Sequence, residues 1–276
     1  MLRVAVPDTL SSVQWRGRDD LVGAGTLVLV TLVVVTLSLV PGRFVVWGPL
    51  SVDPAGGLAL PAALVVGPVG AWGAALGHLV VDVTRGVAGP SSVFGALGQL
   101  GLGLVGYRLW HWFGSIPADV TSRRDVGAFA FVALVAAMAA SAIVGWGAVV
   151  LGEAPFFVAS VLRFPSLVLS TLLVGLAVLV VWSALDASWQ PGDRAREPDR
   201  SSTALRSLVL ASVGWYLAGT ALSLGFYVFS LVPDPAVRSL GLGGLLVLDS
   251  GLSTTIQITV GAVLFVWLLV SYGRRP

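Results

Sequence analysis

The sequence predicts an all-α fold, a polytopic membrane helical bundle with a six-helix core and two additional C-terminal transmembrane helices. Three observations predict it. Hydrophobic residues make up 56% of the chain and charged residues only 11%, with a mean hydropathy of +0.93; soluble domains carry about twice that charged fraction. Apolar runs of about 20 residues recur, the length that crosses a hydrocarbon core. All 16 basic residues are arginine, and they fall outside the apolar runs or at their ends.

Taken in order, residues 1–20 are polar and have no apolar core of a removable signal peptide, so they read as a cytoplasmic N-terminal segment. Leu21–Val40 is the first span and stays as an anchor. Pro54–Gly86 is apolar but interrupted by Pro61, Gly67, Pro68, Gly70, Gly73 and Gly77. It reads as one long span or as two short helices joined at Gly67-Pro68. Ser92–Phe113, Val126–Leu151 and Ser166–Ala187 complete a membrane core over 21–187. The cytoplasmic linker 188–203 carries Gln190, Pro191, Gly192, Asp193 and three arginines. Residues 204–276 hold the two added spans, Ala204–Val232 and Leu252–Tyr272, and a short tail.

Arginine placement resolves the ambiguous stretch, because basic residues collect on the cytoplasmic side of a membrane protein. With one span there and the N-terminus inside, six arginines fall inside and ten outside. Reversing the chain gives ten inside and six outside. With two spans, twelve fall inside and only Arg43, Arg85, Arg163 and Arg238 remain outside. The expectation is therefore eight crossings of the cell membrane with both termini cytoplasmic. Length strains it: 33 residues make roughly 50 Å of helix, against roughly 60 Å for two crossings. The two helices must be short, or thin the bilayer, or form a re-entrant pair shielded by protein. A re-entrant pair preserves the parity.

Composition excludes several chemistries. No cysteine means no disulfide, iron–sulfur cluster or thiol catalysis. A formal charge of +2 gives no reason to expect nucleic-acid binding. His78 and His111 are the only histidines, and no His-Glu-x-x-His or Gly-x-Ser-x-Gly pattern surrounds them. No catalytic residue, metal site or cofactor is expected.

What remains is a solute-binding set. His78 and Asp82, four apart, share one helical face. They could hold a proton or orient an amine, or simply be a hydrogen-bonded histidine and an aspartate at a helix mouth. Three outer loops bring charge together with aromatics or proline: Pro41–Asp53 with Arg43, Phe44, Trp47 and Asp53; Asp82–Ser91 with Asp82, Arg85 and Pro90; and Gly152–Pro165 with Glu153, Phe156, Phe157, Arg163 and Phe164. Aromatic walls with a few placed polar groups suit a small organic solute; loop aromatics also mark the membrane interface without any ligand. Gln99 and Gln257 lie within spans and belong in the bundle interior, with Gln99 also a candidate solute contact. Tyr107–Trp112 reads as an interface anchor. Gly70, Gly73, Ala74 and Gly77, then Gly95 through Gly106, let helices approach closely.

The stretch Leu58–Asp82 resembles the substrate-capture components of energy-coupling factor transporters. Those proteins show an apolar helix ending in Gly-Pro, a glycine-rich helix, then Asp and Gly near its outer end, and Gly67-Pro68, Gly70, Gly73, Gly77, Asp82 and Gly86 match. Pro90 and the glycine-rich span to Trp110 continue the likeness, which covers roughly residues 20–187. The resemblance implies six helices with cytoplasmic ends. It implies capture of a vitamin-like molecule from outside and delivery by toppling in the bilayer. It also implies as partners a coupling transmembrane subunit and two ABC-type ATPases. The chain has no Gly-x-x-x-x-Gly-Lys-[Ser/Thr] loop of its own. Two features depart from the pattern: the first helix, where an Ala-xxx-Ala docking surface is usual, is Val, Leu and Thr with Gly23, Ala24 and Gly25 only at its start, and two spans are added. Leu2 and Arg3 follow Met1 where metal-importing relatives have histidine.

Two rival readings belong to other classes. A membrane sensor or assembly protein would bind a cytoplasmic partner through Arg194–Arg206. A lipid-acting enzyme would need His78 or Asp82 for turnover.

Overall fold

The computed structural model describes residues 9–39, 44–47, 50–113, 120, 122–184, 202–230 and 250–273. Eight helices are present among them: α1 (Thr9–Leu39), α2 (Ala59–Val66), α3 (Pro68–Thr84), α4 (Pro90–Phe113), α5 (Arg123–Val150), α6 (Phe156–Ala184), α7 (Ser202–Ser230) and α8 (Ser250–Gly273). Two short strands, β1 (Phe44–Trp47) and β2 (Leu50–Val52), pair antiparallel between α1 and α2. Parts of four helices, Arg123–Val150, Phe156–Ala184, Thr203–Val228 and Ser253–Gly273, are long and apolar enough to cross a membrane. The chain is a helical, multi-pass membrane protein.

Glycines fix how the helices run. Along α1 and α3, Gly73 meets Val30 and Leu27, and Gly77 meets Val34 and Thr31, so these helices are parallel. Along α4 and α5, Gly98 meets Val144, Gly106 meets Ala136, and Gly147 meets Phe94, which is antiparallel. Gly145 meets Phe156 and Gly175 meets Phe129, so α6 opposes α5. Gly219 meets Phe156 on α6, and Ser207 Oγ lies 2.6 Å from Ser271 Oγ, which makes α7 antiparallel to both α6 and α8. The bundle thus has two ends. One holds the turns at Gly86–Gly89 and Gly152–Pro155; the other holds Gly67. Of the eight arginines among the described residues, Arg16, Arg18, Arg108, Arg123, Arg124 and Arg206 belong to the Gly67 end.

The interrupted stretch is two helices. Gly67 has φ +81° and ψ −167°, a backbone region that only glycine occupies readily. Pro68 opens α3, where its missing N–H costs nothing. The chain reverses here rather than bending. Ala59 and Ala71 both lie against Gly103 of α4, whereas one straight helix would hold them about 18 Å apart. Gly70 packs on the Ala62 backbone.

α2 has eight residues, about 12 Å, and cannot cross a bilayer alone. The strands make up the difference. The Ser51 N–H donates to Ser166 Oγ (3.1 Å) and the Asp53 N–H to Ser170 Oγ (2.8 Å). Those serines lie roughly 15 and 21 Å along α6 from its start. The β-hairpin therefore dips half-way down the bundle from the Gly152 end, and α2 continues to the Gly67 end. Hydroxyls supply acceptors to strand N–H groups that the hydrocarbon region cannot.

Three boundaries differ from the sequence expectation. α1 begins at Thr9, well before Leu21. The segment Pro41–Asp53, read as an outer loop, contains the hairpin. α6 begins at Phe156 and carries Pro165 inside it, so Phe156, Phe157, Arg163 and Phe164 are helical and not in a loop. Proline is tolerated there because neighbouring groups in a membrane bundle re-satisfy the freed carbonyl.

The last two helices are packed into the bundle. Trp146 of α5 donates its indole N–H to the Ile258 carbonyl (3.2 Å), stacks on Phe265 (centroids 5.5 Å apart) and meets Trp215 edge-on (6.1 Å). Gly261 leaves the room that Trp146 fills.

Candidate functional site

A cleft of about 290 Å³ lies between the hairpin and α6. Ser51, Asp53 and Gly56 line one side; Ala159, Leu162, Arg163, Ser166, Leu167 and Ser170 of α6 line the other, with Val144 of α5. The local sequence builds it. Serines at 166 and 170, one helical turn apart, take the N–H groups of Ser51 in β2 and of Asp53 just after it. Beyond β2 the chain turns tightly: Asp53 Oδ1 accepts the Ala55 N–H (3.1 Å) and the Asp53 carbonyl accepts the Gly57 N–H (3.1 Å). Gly57 touches α6 backbone to backbone, since a β-carbon there would overlap the Ser170 carbonyl. The cleft carries one carboxylate, one guanidinium and serine hydroxyls over an apolar floor, the mixture that orients a small polar molecule.

Of the ten sequence candidates, Asp53 and Arg163 line this cleft. Arg43 lies outside the described residues, and Trp47 is at the end of β1, paired with Leu50. His78 and Asp82 form the expected i,i+4 pair on α3, His78 Nε2 lying 3.6 Å from Asp82 Oδ2. Both lie on α3, as their spacing predicts, and Asp82, also read as the first residue of an outer loop, is still helical. His78 fits over Gly95 of α4, where a β-carbon would come within 3.0 Å of its ring. Arg85 ends α3, its N–H donating to the Val81 carbonyl (2.9 Å). Gln99, one turn from Gly95 on α4, is 4% exposed, and no hydrogen-bond partner reaches its Oε1 among the described residues. Glu153 is exposed in the turn before α6. Phe157 faces α7: its ring lies 5.4 Å from Tyr227, and its N–H donates to Ser223 Oγ (3.4 Å). The structure therefore brings two of the candidates into one cleft and leaves His78, Asp82, Arg85, Gln99, Glu153 and Phe157 out of its lining.

Sequence reasoning missed Ser51, Ser166 and Ser170. Their only signal was two serines at helical spacing just past a proline, a pattern too common to single out. Gln257 lies beside a separate void of about 10 Å³ lined also by Phe156, Trp215 and Gly219, room for about one water. Among the described residues no three histidine, aspartate or glutamate side chains gather to hold a metal.

No family model matches the chain, and no curated protein or solved structure matches it.

Proposed function

We propose that this chain is the solute-binding membrane subunit of an energy-coupling-factor type importer. It captures a small molecule from outside in the cleft between the hairpin and α6. Delivery then depends on a coupling transmembrane subunit and two separate ABC-type ATPases. One observation carries the reading: a cleft of about 290 Å³ holds Asp53 and Arg163 and is walled on one side by a re-entrant hairpin. Irregular backbone at membrane depth is tolerated where protein buries it or a polar cavity needs it, and charged groups at that depth mark substrate paths.

In this reading the hairpin and α2 together make the second crossing, giving a six-crossing core through α6 and two more crossings by α7 and α8. The Gly67 end is cytoplasmic, because most described arginines sit there. Both termini then lie inside, and the cleft opens outward. The Gly67-Pro68 reversal and the glycine-rich α3 support the likeness to substrate-capture components.

The test is direct. The full chain is purified in mild detergent, and whatever copurifies is identified by mass spectrometry. It is then added back to washed protein in lipid nanodiscs. The expected result is stoichiometric release of one small molecule and its saturable rebinding, weakened by Arg163→Gln. Protein that carries no small molecule, and uptake by the source cell that does not change when the chain is deleted, would overturn the proposal.

A further inference from the structure

The seam between α3 and α4 holds polar groups that the capture cleft does not use. We infer that His78, Asp82 and Gln99 form a site for one divalent transition-metal ion of the zinc class. The site lies apart from the hairpin and α6, so it stands or falls independently of the capture reading.

Spacing is the first ground. His78 Nε2 and Asp82 Oδ2 are 3.6 Å apart, beyond the range of about 2.7–3.2 Å in which an N–H···O hydrogen bond holds. Two ligands at about 2.0–2.1 Å from a tetrahedral zinc stand about 3.4 Å from one another. The pair is therefore spaced to share an ion rather than a proton. Gly95 of α4 keeps the place open, since a β-carbon there would overlap Nε2.

Gln99 is the second ground. Gly95 meets His78 and Gly103 meets Ala71, so Gln99, midway between those glycines, lies on the face of α4 turned to α3. Helical side chains lean toward the N-terminus, which directs Gln99 at the turn of Gly95 and the ring resting there. β-Carbons one turn apart are separated by about 5–6 Å, a gap that a glutamine side chain largely spans. Gln99 is 4% exposed, and its Oε1 is buried with no hydrogen-bond partner among the described residues. An orphan oxygen in a bundle is costly; a bound cation gives it a partner.

Depth and donor chemistry select the ion. His78 lies about 12 Å below Gly86, and Gln99 about 14 Å below Pro90, well inside a core about 30 Å thick. Ionisable side chains at such depth mark ion or substrate sites. One imidazole, one carboxylate and one amide oxygen make three protein ligands and leave a fourth position for water, as in an open zinc site. Imidazole favours zinc, cobalt or nickel over magnesium and calcium. Bound there, the ion ties α3 to α4.

The full chain, purified without a polyhistidine tag and stripped with a chelator, tests this in lipid nanodiscs. Zn²⁺ binding is followed by titration calorimetry and Co²⁺ binding by visible absorption. The expected result is one ion per chain, the intense bands of tetrahedral Co²⁺, and no displacement by Mg²⁺ in about 100-fold excess. His78→Ala, Asp82→Asn and Gln99→Leu should each weaken binding by at least about 10-fold, the loss seen when even a partner behind a ligand is removed. His111→Ala should leave it unchanged. Zn²⁺ should raise the melting temperature of the unaltered protein and not that of His78→Ala. Absence of saturable binding, displacement by Mg²⁺, or the weak bands of octahedral Co²⁺ overturns the inference. Those three readouts use unaltered protein, so misfolding of a variant does not blunt them. Binding that survives His78→Ala overturns it as well.

Discussion

Replacing Gly57 with alanine tests whether the hairpin is seated on α6 as described. A β-carbon at this position would stand 2.6 Å from the Ser170 carbonyl carbon and 3.1 Å from the Thr171 nitrogen. Both are backbone atoms inside a helix and cannot step aside. Ordinary carbon contacts lie at about 3.5–4.0 Å, so the turn must retreat by about 1 Å. That retreat stretches the 2.8 Å bond from the Asp53 N–H to Ser170 Oγ beyond the range of about 2.7–3.2 Å in which such bonds hold. Overpacking costs about 1–3 kcal/mol and the lost bond about 0.5–1.5 kcal/mol. The expected total is about 2–4 kcal/mol, read as a lower melting temperature in detergent and a weaker solute affinity. The control is Gly225→Ala on α7, where nothing lies within 4 Å; there alanine should stabilise by about 0.5–1 kcal/mol. If Gly57→Ala and Gly225→Ala melt together at or above the unaltered protein, the close seating of the turn on α6 is wrong.

Other outcomes follow from the same geometry. Gly67→Ala should destabilise by about 1–3 kcal/mol through backbone strain alone, since its surroundings are open; unchanged thermal unfolding would count against the reversal there. Trp146→Phe should cost about 0.5–1.5 kcal/mol by leaving the Ile258 carbonyl without its indole donor, and hydrogen exchange should rise in α8 before the other helices. The chain has no cysteine, so single cysteines report sidedness cleanly. Glu153→Cys should react with an impermeant maleimide added to intact cells, whereas Ser122→Cys should react only after lysis; the reverse pattern would invert the proposed orientation. Ser166→Ala combined with Ser170→Ala should open residues 50–57 to exchange, and a variant as protected there as the unaltered protein would show that the serines do not hold the hairpin.

The helical class was legible because hydropathy and length leave little choice once about 20 apolar residues run together. The break at Gly67-Pro68 was legible too, since glycine with positive φ followed by proline at a helix start is local chemistry. The His78–Asp82 pairing needed only helical spacing. The hairpin was not legible. Phe-Val-Val-Trp and Leu-Ser-Val are short apolar runs with β-branched residues, between Pro41-Gly42 and Asp53-Pro54, and such runs suit a strand or an interfacial loop equally. They are strands by pairing with each other, and β2 is seated by Ser166 and Ser170, over a hundred residues away. Pro165 misled the placement of α6, because proline signals a boundary in water yet sits inside this helix. The presence of Asp53 and Arg163 in the lining of one cleft followed from that same fold-back, which no one-dimensional spacing encodes.

The serine contacts also bear on how the chain is made. The acceptor for the Asp53 amide emerges from the ribosome 117 residues later, an interval of about 6–23 s at roughly 5–20 residues per second. Until then the segment from Phe44 to Val66 has no α6 to lie against, and a nascent chain arrested before Ser166 would carry it outside its final seat. Biogenesis of this protein therefore includes a docking of the hairpin that waits for α6, rather than being a simple succession of helix insertions.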